Sequence, residues 1–466
     1  MTDSRITMSM KSMVLKLTRS ALLLLMLVSV ATVSTAPAAA QGGLPIVRDA
    51  EIEALLVDYA KPIFKAAGLS RKGIEIVLVN NPSFNAFVDG RRIFINTGAL
   101  MTAETPNEVI GVLAHESGHL AGGHQQRLRD QLARSRTIAI VGALAGMGAV
   151  AAGSSLDIEG AGAAGTGLMS AAPSVAQRAL LSYQRSEEVT ADRAAIKYLN
   201  ATGQSANGML KTFDRFTKQA ALAGVRRNPY EVSHPLPRER IALLEELAKK
   251  SPHFNKKDSA ALQRRHDMMR GKIAAYSGGA PVVGRAFKND PNGVGARYGM
   301  AISQFLRGDT RRALAGIDKL IAKDKNNPYL HEIRGEILLH ARQADKAAAA
   351  LSKAVKLDKR GSSVIRGRLG FALVSSGDPK NMKRAIQELR AAISSDPNNF
   401  SAYSHLARAY SQTGDVALAE LTQAEGYFRA GNVRDAKRFA VRAQKKLPKN
   451  TPNWQRAADI VRYKTK

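Results

Sequence analysis

The sequence predicts a mainly α-helical α+β protein, in which a domain built on a small β-sheet precedes an α-solenoid. Three observations carry that expectation. Aromatic residues are only 5% of the chain while alanine and glycine are abundant, which favours helices packed through small residues over a β-sandwich. Two short β-branched runs, Ile74–Val79 and Arg92–Asn96, supply strands. From about residue 290 onward the sequence repeats. At 466 residues, with 45% hydrophobic and 23% charged content, two or three globular domains are expected.

The chain opens with Lys11, Lys16 and Arg19 ahead of an apolar run, Ala21 to Val33, and then Ala38-Ala39-Ala40-Gln41. Basic flank, short apolar stretch and small-residue site predict a secretory signal peptide over residues 1–40, so periplasmic export is expected. The run is too short to span a bilayer comfortably. A first domain, 41–250, starts with an amphipathic helix, Ala50–Ala67, followed by the two strands. Pro106–Arg129 is expected as one helix, with Thr105 as N-cap, Pro106 at the first position and Glu108 completing a capping box. Thr137–Gly153 is almost wholly apolar and leads into a Gly/Ala/Ser-rich stretch to Ala176. A buried or gating hairpin, or shallow membrane contact, fits it better than a true span, because Asp157 and Glu159 follow closely.

Residues 251–289 are polar and basic and read as a connector. In the last part, 290–466, Ala313 and Ala347 stand 34 apart; Ala385 follows at 38, and Ala419 after another 34. Each comes after a turn: Gly308-Asp309, Gln343-Ala344-Asp345, Gly377-Asp378 and Gly414-Asp415. This period and punctuation resemble the tetratricopeptide repeat. Ala430-Gly431-Asn432 predicts a further pair, and Trp454 a capping helix.

Net charge is +30, and 290–466 alone holds 33 Lys and Arg against 16 Asp and Glu. Such an excess suits an acidic partner or an anionic membrane surface. Nucleic acid is not expected, because no stacking aromatics are interleaved with the basic residues. The absence of cysteine excludes disulfides, thiolate-held zinc, thiol catalysis and a lipobox anchor.

The chemistry concentrates in His115-Glu116-Ser117-Gly118-His119. Two histidines four apart share one face of a helix, so both imidazoles can reach a single Zn²⁺, and Glu116 beside them can take a proton from the attacking water. A metzincin would place a third histidine at 125, where the chain has Gln125. A later acidic pair, Glu188 and Asp192, shares a helix face. One of its carboxylates can bind zinc while the other fixes a histidine's far nitrogen or an arginine. Glu187, about 100° away, is expected to be solvated.

H-E-x-x-H followed by E-x-x-A-D resembles the CAAX-prenyl-protease and HtpX clan of gluzincins. Asn85-Ala86-Phe87 before the strand ending in Asn96-Thr97-Gly98-Ala99-Leu100, His124, and Ser233-His234-Pro235 before Arg240-Ile241 add to the likeness over about 45–250. The resemblance implies one zinc ion per chain on His115, His119 and Glu188, with Glu116 as catalytic base. His234 is then expected either to stabilise the oxyanion or to occupy zinc's fourth position as a latch, and Arg240 to pair with Asp192. His124 is expected to be structural. The strand Arg92–Asn96 is expected to pair with extended substrates. The resemblance further implies a periplasmic zinc endopeptidase acting on misfolded or unassembled envelope and outer-membrane proteins, its repeats docking substrates or the outer-membrane assembly machinery. Two other readings stay open: a chaperone or adaptor with a latent site, and a protease in peripheral membrane contact through 137–176.

Overall fold

The computed structural model describes residues 44–69, 73–156, 161–223 and 229–464. The predicted signal peptide and the acidic pair Asp157 and Glu159 lie outside them.

Four strands, β1 (Ile46–Val47), β2 (Glu75–Val79), β3 (Ala86–Asp89) and β4 (Arg92–Asn96), form a sheet in the order β1-β2-β4-β3. β4 runs parallel to β2, in register Glu75 with Arg92, and antiparallel to β3. The β3–β4 hairpin turns through Gly90 at φ 60°. β4 is therefore an inner strand with both edges taken. The edge strands are β1 and β3, and the one that lies against the helix following Thr105 is β3, whose Ala86-Phe87-Val88-Asp89 is too short to announce itself by alternation.

Helix α1 (Ala50–Ala66) is N-capped by Asp49, whose side chain accepts from Ile52 N. After α2 (Thr97–Thr102) comes α3 (Pro106–Gly122). Glu108 reaches back to accept from Thr105 N at 3.2 Å and pairs with Arg215 at 2.6 Å. Residues 106–118 of α3 are all buried. The expected helix Pro106–Arg129 is in fact two, because Gly123 takes a left-handed conformation (φ 65°) and closes α3 with bonds to His119 O and Leu120 O. The chain re-enters helix at His124.

From there it forms a long hairpin, α4 (His124–Leu156) and α5 (Ala161–Ala201). It is a hairpin but not a buried one: Ile138, Ile140, Val141, Leu144 and Met147 on α4, and Val175 and Leu181 on α5, are exposed. Among the described residues no helix is long and apolar enough to cross a membrane. The end of α5 returns to the core, where Ala191, Ala195 and Leu199 are fully buried. A Cβ on Gly118 would lie 2.8 Å from Ala191 O, so only glycine lets α3 and α5 cross this closely. That crossing sets the two motif helices against each other. Helices α6 (Asn207–Ala223), α7 (Pro229–Ser233) and α8 (Arg238–Lys249) complete a core centred on Leu55, Leu56, Tyr59, Ile95, Leu113 and Phe216.

Most of 251–289, expected as a connector, is a helix, α9 (Ala260–Ala286), kinked at Gly278 and Gly279. Met269 and Ile273 enter the first core, while Met268, Ala274, Ala275 and Val283 enter the next. The polar residues that make it look like a linker alternate with the small apolar ones that serve both cores. Helical hairpins then stack as α10 (Val294–Leu306) with α11 (Thr310–Lys323), α12 (Pro328–His340) with α13 (Ala344–Leu357), α14 (Ser363–Ser376) with α15 (Pro379–Ser395), and α16 (Phe400–Gln412) with α17 (Val416–Arg429). Two more helices complete the stack, α18 (Val433–Lys446) and α19 (Pro452–Arg462), the second carrying Trp454. The recurring alanines 313, 347, 385 and 419 lie on the second helix of successive pairs, and all are buried. This is a helical repeat region.

Candidate metal centre

His115 and His119 project from the buried face of α3, Glu188 from the start of the packed part of α5, and His234 from the turn after α7. One ligand atom from each lies within 4.8 Å of all the others. His115 Nε2 is 3.0 Å from His119 Nε2 and 3.3 Å from His234 Nδ1. Glu188 stands 3.4 Å from His115 and 3.3 Å from His119, and both its oxygens are 3.1 Å from His234 Nδ1. His234 is steadied by Tyr230, whose ring stacks on it at 4.5 Å.

The far side of each α3 histidine is also held. His115 Nδ1 lies 2.9 Å from Asp192 Oδ1. Arg240 binds Asp192 through Nε (2.7 Å) and a terminal nitrogen (3.0 Å), and reaches Glu188 at 2.9 Å. Asp192, Glu188 and Arg240 thus form one buried ionic unit. Burial works against both carboxylates, but the surrounding positive groups win: His115 and Arg240 hold Asp192 below the usual range, and His234, His115 and His119 hold Glu188 well below it. On the other histidine, His119 Nδ1 is 2.9 Å from His124 Nδ1, whose Nε2 is 2.8 Å from Glu187. Burial and the neighbouring His119 push His124 down to about 4, so it is neutral at ordinary pH and can accept. Glu187, expected in solvent, is instead drawn in by His124 and by Arg127 at 2.7 Å. The hairpin geometry that brings Arg127 opposite Glu187 has no local signature in the sequence.

Glu116 is fully buried, and neither carboxylate oxygen accepts a hydrogen bond. His234 Nε2 approaches its Oε1 to 3.6 Å. A buried carboxylate with both oxygens unanswered is costly unless something polar is meant to face it. Together with three imidazoles and a carboxylate converging on one point, it fits a zinc site of nitrogen and oxygen donors with a base beside it. Beside the cluster is a cleft of about 200 Å³, bordered by Val88, Glu116, His119, Gln125, Leu128 and His234.

Residues 47–248 match peptidase family M48. The match takes in the whole domain that carries the cluster. The M48 domain makes the chain a metallopeptidase, and the cluster of His115, His119, Glu188 and His234 is where its ion would sit. The likeness to known proteins runs past the M48 domain into the repeats. Over 408 residues the chain is 22% identical to a beta-barrel assembly-enhancing protease of Escherichia coli (strain K12), covering 85% of this chain and 79% of that one. A beta-barrel assembly-enhancing protease of Yersinia pestis is 23% identical over 362 residues, 76% and 72% of the two chains. A putative beta-barrel assembly-enhancing protease of Vibrio cholerae is 27% identical over 209 residues, 45% of this chain and 41% of the relative.

Proposed function

We propose that the protein is an exported, periplasmic zinc endopeptidase that cleaves unfolded or unassembled envelope and outer-membrane proteins. In this reading it is organised as a peptidase domain (41–250), a linking segment (251–289) and tetratricopeptide-like repeats (290–466) that dock substrates or assembly partners. The names of its relatives support the substrate class. The observation that carries the activity is Glu116, buried without a hydrogen bond beside three imidazoles and a carboxylate.

His115, His119 and Glu188 would hold the ion, which when bound supplies a Lewis acid to polarise the scissile carbonyl. Asp192 keeps the proton on His115 Nδ1, leaving Nε2 free to face the ion. Arg240 fixes Asp192 and Glu188 in that arrangement. An extended substrate lies along the open edge of β3, not on β4. Glu116 takes a proton from the attacking water and passes it to the leaving amine. Packing among the ligands favours a latch role for His234: its Nδ1 lies with the ligand atoms, and withdrawal of the side chain would open the position to substrate.

The test is hydrolysis of casein by the mature chain beside its Glu116→Gln and His234→Ala variants, with zinc content measured in each. Zinc-dependent cleavage that disappears in Glu116→Gln supports the enzyme, and faster cleavage by His234→Ala supports the latch. No cleavage by any zinc-loaded form would favour a repeat-based chaperone. The exposed apolar residues of α4 and α5 are flanked by exposed Arg134, Arg136, Arg178 and Arg185, a pattern that suits peripheral contact with an anionic membrane. Failure to co-sediment with anionic vesicles would remove that contact from the proposal.

A further inference from the structure

The open edge of β3 is partly occupied by the protein itself. In the β3–β4 ladder Asn96 N donates to Asn85 O at 3.0 Å. With Ala86 opposite Ile95 and Val88 opposite Ile93, the alternation of an antiparallel pair turns the peptide groups of Ala86 and Val88 away from β4. These are the groups an extended substrate would use. The carbonyl of Ala86 has His234 Nε2 at 3.4 Å. The carbonyl of Val88 accepts from Gln125 Nε2 at 3.1 Å.

Gln125 makes two further bonds. Its Oε1 accepts from Gly90 N at 2.8 Å, and its Nε2 lies 3.1 Å from Asp89 Oδ1. One side-chain amide thus donates to the carbonyl of Val88 and accepts from the N–H two residues on. Those are positions that the backbone of an added strand would fill. The amide is aimed there by the helix break at Gly123, which turns the first residues of α4 toward the β3–β4 hairpin. Arg129, one turn along α4, ties the same hairpin through Asp89 at 3.2 Å. Gln125 and Val88 both border the cleft beside Glu116 and His119.

We infer that Gln125 is a specificity-determining residue that caps the substrate-binding edge at Val88, limiting how far an extended peptide can pair along β3. The inference rests on the proposed use of β3 as the substrate strand. A peptide engages Ala86 and the N–H of Val88, and residues reaching past that point gain nothing unless the amide swings aside. The position where a metzincin would carry a third zinc ligand serves here as the end-stop of the cleft.

The experiment uses internally quenched peptides lengthened one residue at a time on either side of the scissile bond, with kcat and KM measured for the zinc-loaded full chain, Gln125→Ala and Gln125→Glu. The same ladder is titrated by fluorescence anisotropy onto zinc-loaded Glu116→Gln, with and without Gln125→Ala, so that binding is read without turnover. Circular dichroism confirms that each variant is folded. On one side of the bond, wild-type KM should stop improving at a fixed length. In Gln125→Ala the ratio of KM for long over short peptides should fall about three- to tenfold, the worth of one hydrogen bond regained, without a matching change in the kcat ratio. Gln125→Glu, which loses the donor to Val88 O and faces Asp89, should shift the ratio in the same direction. Identical length profiles in wild type and both variants would overturn the inference and leave the protease reading intact. A ladder that is neither bound nor cut would overturn the reading and the inference together.

Discussion

Between Ala50 and Lys249 the buried interior includes His115, Glu116, Glu188, Asp192, His234 and Arg240; between Val294 and Arg462 the recurring buried positions are alanines. The repeats do bury carboxylates, but one oxygen of each is paired: Glu332 Oε1 with Arg368 at 2.6 Å, and Glu420 Oε1 with Arg442 and Lys446 from the neighbouring helix, the other oxygen of each accepting no hydrogen bond. Neither oxygen of Glu116 accepts a hydrogen bond, and its nearest cationic neighbour is a histidine at 3.6 Å. On the proposed mechanism the peptidase half therefore retains a costly group where its chemistry would need one, while the buried carboxylates of the repeat half are paired with cations. Between them lies a seam of buried charge. Lys272 of α9 binds Glu51 at 2.7 Å and Asp49 at 3.0 Å at the start of α1, and Tyr298 of α10 donates to Glu51 at 3.0 Å.

The sharpest way to break this contrast is Glu116→Gln. Turnover should fall by about 10²–10⁴-fold, the usual contribution of a general base. Stability of the metal-free protein, followed by thermal unfolding, should hold or rise, because an unsatisfied buried charge has been removed. A clear loss of thermal stability would mean Glu116 is structural and the contrast is misplaced.

The seam behaves oppositely. Burial disfavours the charged lysine, but Asp49 and Glu51 outweigh it and hold Lys272 well above its ordinary value. Lys272→Met strands both carboxylates and should cost about 3–5 kcal/mol in urea unfolding. It should also separate the unfolding of the two halves. A loss under about 1 kcal/mol would show that the halves are joined by their apolar contacts alone.

A smaller effect at the same seam is set by pH. His266 is fully buried, with Nδ1 3.0 Å from Tyr59 Oη and Nε2 bonded to Ala103 O at 2.9 Å. Burial pushes it down to about 3, against the opposing pull of the Ala103 bond. The folded state holds the neutral form, so its contribution is complete above the unfolded value near 6.5 and is lost as pH falls from there toward 3. At pH 5 the loss is about 2 kcal/mol. The drop in unfolding free energy from pH 7 to 5 should be smaller by about that amount in His266→Gln. Equal drops in variant and wild type would show that His266 already carries its proton in the fold.

Much of the site was legible because its parts are local or periodic: His115 and His119 by helical spacing, Glu188 and Asp192 by a shared face, and the repeats by phase. What escaped depends on contacts between distant segments. The crossing of α3 and α5 at Gly118 carries no signature of its own. The edge position of β3 follows from β2 and β4 pairing in parallel, which local patterning cannot reveal. Lys272 meets Asp49 across 223 positions, and within α9 it looks like any solvated lysine. Glu187 looked like a surface residue for the same reason, and nothing local marked Gln125 as engaging β3, since the hairpin that carries both starts at a glycine break inside an apparently continuous helix.

The repeat half offers the finest test, because one of its turns departs from the others. The residue before the N-cap of α11, α15, α17 and α18 is Gly308, Gly377, Gly414 or Gly431, each at positive φ. Before α13 the same place is held by Arg342 at φ 58°. Its backbone bonds match those at Gly308, Gly414 and Gly431: Arg342 N to Leu339 O and Gln343 N to Leu338 O, as Gly308 N to Phe305 O and Asp309 N to Gln304 O. The turn therefore forces an L-residue into the left-handed region at a cost of about 1–2 kcal/mol. Glycine removes that cost but returns roughly 0.5–1 kcal/mol through its freer unfolded chain. Arg342→Gly should consequently stabilise by about 0.5 kcal/mol, and Gly414→Ala should destabilise by about 1 kcal/mol. Both are measurable as shifts in urea midpoint at constant slope. Opposite signs at equivalent positions would show that backbone conformation specifies the repeat turns, whereas a loss of stability in Arg342→Gly would assign that turn to the arginine side chain.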